Sequence, residues 1–233
     1  MKQSIITLLL LLVTLTIGAQ TDYSNMILSY SENREIFFHK YEPNLIIKAE
    51  YSSITEAENN YPEQLIQSIL SATNQEWINY NTLGGAEKAT EQNQSHFDRV
   101  LTMDKNKNFF KLHHKLTFTI GNIPTAIIKF FIHQEENEPV SGAVVMQKVD
   151  GRWQHTSNPT LSTLSIIVMR LKTTVLQGIL LNDSEDKDII ALSKRVSSES
   201  GLDLQKLEDE FMSWYNPELD RYKIEMFIDP KAW

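Results

Sequence analysis

The middle of the chain contains four stretches in which apolar and polar residues alternate, the pattern typical of β-strands. They cover residues 109–120, 125–134, 140–149 and 152–157. Asp150-Gly151 separates the last two stretches, and both residue types tolerate the positive φ angles of a two-residue type I′ turn. The sequence therefore predicts a hairpin with two cross-strand pairs, Met146 with His155 and Lys148 with Trp153.

Before these strands, apolar residues recur at intervals of three and four, which predicts amphipathic helices. Pro62 begins a stripe that continues to Tyr80, and residues 86–101 predict a second, more polar helix. Two β-like runs, 35–41 and 45–51, precede the helices on either side of a turn composed of Glu42, Pro43 and Asn44. Residues 21–33 show little periodicity, and we expect an arm there.

After the strands the chain becomes helical again. Asn158 followed by Pro159 predicts an N-cap and the first residue of a helix that extends to about residue 181. Residues 186–198 predict another helix, Asp203 caps a third, and residues 222–228 alternate like an edge strand. The predicted fold class is α+β. It comprises N-terminal helices, a curved antiparallel sheet of at least four strands, a C-terminal helical extension and a final edge strand.

The alternation also predicts which side chains share a face of the sheet. We expect five-residue loops, 121–125 and 135–139, between the first three strands, because this spacing collects their apolar residues on one side. The hairpin adds the last strand to that side. The resulting face holds the residues expected to form a binding site: His114, Phe118, Phe130, Met146, Trp153 and His155.

The first 19 residues have the pattern of a secretory signal peptide. Lys2 precedes an uncharged apolar run over residues 5–17, and the small residues Gly18 and Ala19 follow it. We expect export to the periplasm, the cell surface or the medium. The remainder, 20–233, is expected to form one α+β domain, with its sheet core over about 35–158 and the helical extension over about 159–233. No later segment predicts a stable membrane span.

Composition narrows the possible functions. The 233 residues include 30 acidic and 22 basic side chains, a net charge of −8, which argues against binding nucleic acid. Cysteine is absent, which excludes disulfides, thiolate metal ligands and cysteine nucleophiles. The sequence also lacks the common nucleophile, zinc-protease and phosphate-loop motifs.

The order of the elements resembles the NTF2-like (cystatin-like) α+β cone superfamily over about residues 56–157. The resemblance rests on helices followed by long strands and on Gly151-Arg152-Trp153, which opens the last strand. It implies a sheet curved around a helix, with a concave face used as a ligand pocket, an active site or a dimer surface. That face would carry His114, Met146, Trp153 and His155. The helical extension from Pro159 onward departs from the family pattern.

His114 and His155 are the candidate catalytic residues, since histidine can act as an acid or base near neutral pH. The alternative is that each is a core histidine hydrogen-bonded to a neighbour. A carboxylate partner would have to come from the helices, for example Glu63, Glu76 or Asp98. No metal site is predicted, because the adjacent His113 and His114 point to opposite faces of a strand.

These observations favour an exported, non-enzymatic module that binds a small apolar ligand or a protein partner through the apolar sheet face. Phe118, Phe130, Met146 and Trp153 are the predicted ligand-binding residues, and no cofactor is predicted. The alternative is a cavity enzyme of hydrolase or isomerase type that uses His114 or His155 as its acid or base. A cavity that reached both histidines and a carboxylate would favour the enzyme.

Overall fold

The computed structural model of the protein describes residues 24–29, 33–85, 91–134, 137–181, 184–198 and 201–214. The strands are β1 (Ser24–Ser29), β2 (Asn33–Ile47), β3 (Phe109–Ile120), β4 (Ile123–Gln134), β5 (Asn137–Val149), β6 (Arg152–His155), β7 (Ser197–Ser198) and β8 (Gly201–Leu202). The α-helices are α1 (Pro62–Ser71), α2 (Gln75–Asn81), α3 (Glu91–Thr102), α4 (Ser162–Arg170), α5 (Thr173–Leu181), α6 (Lys187–Arg195) and α7 (Leu204–Trp214).

The described strands form one sheet in the order β6-β5-β4-β3-β2-β1-β8-β7. Pairing is antiparallel except between β1 and the two-residue β8. The sheet has helices before and after its long strands, so the predicted α+β class, the strand count and the helical extension are confirmed. The predicted signal peptide and the predicted edge strand over 222–228 lie outside the described residues.

The hairpin between β5 and β6 is confirmed residue by residue. Asp150 and Gly151 have φ angles of 51° and 83°, as a type I′ turn requires. Met146 pairs with His155, and Lys148 pairs with Trp153. The hairpin and the β4–β5 register place the even-numbered residues of β4 and β5 on the same face as Trp153 and His155.

The predicted register of β3 is wrong. Instead of a five-residue loop, Gly121 and Asn122 form a two-residue turn, with φ angles of 51° and 71°. Phe118 therefore pairs with Thr125, and this odd offset turns the C-terminal half of β3 over. A register shift between Leu112 and His114 restores the predicted orientation for the N-terminal half.

The sheet consequently has two apolar faces, each with its own core. One, which we call the α1 face, packs on helix α1 and holds Leu112, Ala126, Ile128, Val144, Met146 and Trp153. The other, which we call the tail face, packs on the helices after residue 159. Its sheet residues are Ile36, Phe38, Leu116, Phe118 and Ile127.

The helical extension packs on the tail face, as its apolar stripe predicts. Leu161, Leu164, Val168, Leu171 and Val175 are all buried in the same cluster as the tail-face residues. The predicted helix is broken, because the segments Pro159–Arg170 and Thr173–Leu181 meet at a bend of 118°. Among the described residues no single helix is long and apolar enough to cross a membrane. The bent pair of helices would together be long and apolar enough for a span, by length and composition only.

Buried polar groups of the sheet stabilise the bend between α4 and α5. Lys129, only 1% exposed, donates from Nζ to the carbonyl oxygen of Leu171 over 2.6 Å, where α4 ends. Its cross-strand neighbour His114 places Nδ1 2.9 Å from the Thr173 hydroxyl at the start of α5. A cation at a helix C-terminus also interacts favourably with the helix dipole. The sheet thus fixes the bend between the two helices.

Several N-terminal elements differ from the prediction. The two β-like runs form one irregular strand, β2, whose register shifts between Lys40 and Leu45. Part of the expected arm is strand β1. The helix from Pro62 ends at Ser71, since Asn74 caps a separate helix by accepting a hydrogen bond from the Trp77 backbone N–H. The predicted caps Asn158 and Asp203 are confirmed by hydrogen bonds to the backbone N–H groups of Thr160 and Lys206.

Candidate functional site

A cavity of about 580 Å³ lies against one edge of the sheet, at strand β5. Six consecutive residues of β5, 140–145, line it. Because successive strand residues point to opposite faces, a cavity lined by all six must pass over the edge of the strand. The geometry of β6 leaves this edge accessible. It pairs with residues 146–149, and only one further bond, from the Thr156 N–H to the Val145 carbonyl oxygen, extends the contact.

The floor of the cavity on the α1 face is aromatic. The rings of Phe110 and Phe130 stack with centroids 4.7 Å apart and planes inclined by 7°. Gly142, the cross-strand partner of Phe130, makes this arrangement possible. A Cβ atom at Gly142 would lie 2.6 Å from Cζ of the Phe130 ring, well inside van der Waals contact. The glycine therefore lets the aromatic ring lie across β5.

Helices form the two walls. On the α1 face, apolar side chains of α1, of α3 and of the residue after α3 line the cavity: Ile66, Ile69, Phe97, Val100 and Met103. On the other side, α4 contributes Ser162, Ser165, Ile166 and Met169. The α4 wall comes from the helical extension. The cavity therefore lies between helices that precede strands β3 to β6 in the chain and a helix that follows them.

The cavity contains few charged or titratable side chains. Among the described lining residues, Arg99 is the only permanently charged one and His155 the only other titratable one, and none is Asp or Glu. The serine hydroxyls of the α4 wall donate to carbonyl oxygens of their own helix, Ser162 to Pro159 and Ser165 to Ser162, each over 2.8 Å. The described lining is thus mostly apolar, with several serine, threonine and asparagine side chains and one permanent cation.

His155 reaches the cavity but is held by its surroundings. Its ring meets the Phe97 ring edge to face, with centroids 5.6 Å apart and planes inclined by 85°. Its carbonyl oxygen accepts a hydrogen bond from the Leu83 N–H over 2.9 Å. Phe130 is the second predicted site residue that lines the cavity. Met146 and Trp153 lie on the same face but are buried in the core beside it.

His114 and Phe118 are not part of this site, which corrects the prediction that all six residues share one face. Both lie on the tail face, and His114 is 0% exposed beneath the helical extension. Burial lowers the pKa of His114 well below its usual value, and the neighbouring charges of Lys129 and His113 lower it further. It is therefore a neutral core histidine, the alternative that the sequence left open.

The carboxylates considered as partners for a histidine lie elsewhere. Glu63 accepts hydrogen bonds from the Tyr41 hydroxyl over 2.5 Å and from Lys115 Nζ over 2.7 Å. Burial raises the pKa of Glu63, but the Lys115 charge and these two hydrogen bonds outweigh it, so the pKa is lowered overall. Glu76 and Asp98 are exposed. Glu63 thus fastens the first turn of α1 to β2 and β3.

Within the described residues, no group of three or more His, Asp or Glu side chains is arranged to hold a metal ion. His113 packs its ring against Phe131, with centroids 4.7 Å apart, while its neighbour His114 contacts Phe38. Phe131 alternates with Ile127 and Lys129 on the tail face, so both histidines lie against that face. The prediction that they point to opposite faces is wrong, because the register shift between Leu112 and His114 interrupts the alternation there.

Sequence reasoning missed much of the cavity. Arg99 and the α3 residues belong to a helix that the pattern predicts without indicating its neighbours. The α4 wall depends on where the helical extension packs. The one available signal was Gly142, a glycine inside an otherwise regular strand, which often marks a close approach of another group.

No protein-family model, no curated protein and no solved structure matches this chain.

Proposed function

We propose that this protein is a non-enzymatic module that binds a small apolar ligand in the cavity at the edge of β5. The observation that carries the proposal is the cavity itself: about 580 Å³, walled by aliphatic and aromatic side chains from α1, α3, β5 and α4. Ligand sites in proteins have volumes of roughly 300–1,000 Å³ and are mostly apolar with a few polar groups. The signal-like N-terminal segment supports a role outside the cytoplasm.

The energetic reason is burial of apolar surface. Each methylene group transferred from water into such a cavity contributes about 0.8 kcal/mol, so a chain or ring system of modest size binds without any specific polar contact. The walls are also held in place independently of a ligand. Glu63 fastens α1 to the sheet, and Lys129 fastens the end of α4. The site is therefore largely formed before a ligand binds, which reduces the entropic cost of binding.

The enzyme alternative has weaker support. A general acid or base at His155 would be assisted by a carboxylate, and none of the described lining residues is Asp or Glu. His114 lies on the opposite face of the sheet. We therefore do not assign a reaction to the cavity.

The test uses phenylnaphthylamine, an uncharged probe whose fluorescence rises in apolar surroundings. Ser165→Trp places an indole in the α4 wall, and we expect it to weaken probe binding about tenfold or more by filling the cavity. Ser213→Trp on α7 is the matched control. Both serines are helical and donate to the carbonyl oxygen three residues earlier, but Ser213 is exposed and away from the cavity.

We expect saturable, one-to-one binding to the wild-type chain and to Ser213→Trp. Circular dichroism and urea unfolding of all three proteins establish that Ser165→Trp is folded. Failure of the wild-type chain to bind the probe, or equal binding by the two tryptophan variants, would show that the cavity is not a ligand site.

A further inference from the structure

The charge of the cavity lining differs from that of the whole chain. Acidic side chains outnumber basic ones by 30 to 22 in the sequence, yet none of the described residues that line the cavity is acidic. Among the described lining residues, Arg99 has the single permanently charged side chain. A ligand thus meets mostly apolar walls, some uncharged polar groups and one cation, in a protein whose net charge of −8 otherwise repels anions.

Arg99 lies at the rim rather than inside. It belongs to the last turn of α3, beside Val100, and Phe97 of the same helix and Met103 just after it also line the cavity. The residue is exposed, whereas Phe97 and Val100 are buried. Its carbonyl oxygen accepts a hydrogen bond from the Thr102 hydroxyl, but its guanidinium makes no ion pair with any described residue. The cation is available to a ligand whose apolar part lies in the cavity.

The shape of the cavity adds a second constraint. It runs from the aromatic floor on the α1 face, over the edge of β5, to Ile166 and Met169 on α4. A flexible chain can follow such a bend, whereas a flat, rigid ring system cannot contact both walls at once. The serine hydroxyls of α4 already donate to helix carbonyls, so they do not supply the charged contact.

We infer that the ligand is a single-chain amphiphile with an acidic head group, whose chain fills the cavity and whose head group pairs with Arg99. This inference rests on the proposed function, because it names the ligand class for the same cavity. An arginine fork binds a carboxylate or a phosphate through two parallel hydrogen bonds. The shared requirement is a head group that carries negative charge at neutral pH.

The experiment compares dodecanoate with dodecanol by displacement of the fluorescent probe, below the concentrations at which either compound aggregates. The two compounds have the same chain length, and only the first is charged. A purely apolar cavity would prefer the alcohol, because a carboxylate loses more hydration. With the Arg99 contact we expect dodecanoate to bind about fivefold more tightly, the factor for one exposed ion pair, and the preference to weaken at high salt.

Arg99→Gln tests the assignment, with Arg195→Gln on α6 as the matched control for the loss of one exposed arginine. We expect Arg99→Gln to abolish the preference for dodecanoate over dodecanol, and Arg195→Gln to keep the wild-type preference. Equal or tighter binding of dodecanol to the wild-type chain overturns the inference and leaves the proposed function standing. Failure of the wild-type chain to bind either compound or the probe overturns both the inference and the proposed function.

Discussion

The two faces of the sheet share the strands β3, β4 and β5 but are covered in different ways. Helices α4 to α7 bury the tail face with a continuous set of aliphatic and aromatic side chains, and Leu116 and Ile127 are at most 1% exposed there. On the α1 face, helices α1 and α3 leave the cavity at the edge of β5. Room for a ligand thus arises at the edge of the sheet, where the cover of the α1 face ends, although both faces carry apolar strand residues.

The buried polar groups of the two faces also serve different contacts. Beside the α1 face, the Trp77 indole donates to the Ser68 hydroxyl over 2.9 Å, and that hydroxyl donates to the Asn81 side chain over 2.7 Å. Asn59 joins this network through Asn81. The network binds α1 and α2 to each other. On the tail face, Lys129 and His114 bind the helices directly to the sheet, as Glu63 does for α1 on the other face.

The largest expected effect tests the tail face. Val168→Asp buries an unpaired carboxylate at a position that is 0% exposed, and we expect a loss of more than about 4 kcal/mol in the free energy of unfolding. Ile166→Asp is the control on the same helix, since Ile166 is only half-buried and faces the cavity. It should cost clearly less stability while weakening probe binding. Equal urea midpoints for Val168→Asp and wild type would contradict a shared core.

The second prediction tests the aromatic floor. Gly142→Ala brings a methyl group against the Phe130 ring, and we expect about 1–3 kcal/mol of destabilisation and weaker probe binding, because the ring must shift into the cavity. In a Phe130→Leu background the same glycine substitution should cost much less. Additive effects of the two changes in urea unfolding would show that the ring and the glycine are not coupled.

The third prediction concerns pH and the tail face. Burial holds the pKa of His114 well below 6.5 in the folded chain, so below about pH 6.5 the unfolded state binds the additional proton. Stability should therefore fall with decreasing pH, by about 1.4 kcal/mol per pH unit for this one group, until the folded-state pKa is reached. Unfolding curves of wild type and His114→Gln should diverge in slope over this range. Parallel pH dependences would mean that His114 is protonated in the folded chain.

The smallest expected effect concerns the attachment of α1. Glu63→Gln removes the charge that faces Lys115, and we expect a loss of about 1 kcal/mol at neutral pH. The pKa of Glu63 is lowered on folding, so the stability that this pair contributes is lost as the pH falls and the carboxylate is protonated. The free energy of unfolding of Glu63→Gln should lack this contribution to the pH dependence. Glu210→Gln is the control, since its partner Arg195 is 47% exposed. An effect no larger than the control's would remove Glu63 from the anchoring contacts.

The sequence predicted the local backbone geometry better than it predicted which residues are neighbours in the folded chain. The turn at Asp150-Gly151 was correct because turn residues and strand alternation agree there. Gly121-Asn122 is an equally good two-residue signal, but a five-residue loop was predicted because that spacing collects the apolar residues of both strands on one side. The structure instead places Pro124 inside β4 opposite Thr119. The turn is three residues shorter than predicted, and this odd offset is why His114 and Phe118 were assigned to the wrong face.

The candidate site was predictable only in part. Phe130 and His155 follow from the parity of β4 and β6, which the hairpin fixes. The irregularity between Leu112 and His114 has no glycine or proline to announce it. Arg99 and the α4 wall depend on how helices pack across a sheet edge, a tertiary choice that periodicity along one helix does not encode.

The open edge of β5 also bears on self-association. An uncovered strand edge is a template on which further chains can pair and aggregate. The Val145 carbonyl oxygen points to the outer edge, so with a period of two the backbone groups of Ala143 and Ser141 point outward as well. Two residues further, Pro139 has no N–H to offer. The exposed hydrogen-bonding stretch is therefore confined between a hairpin and a proline, too short to seed an intermolecular sheet.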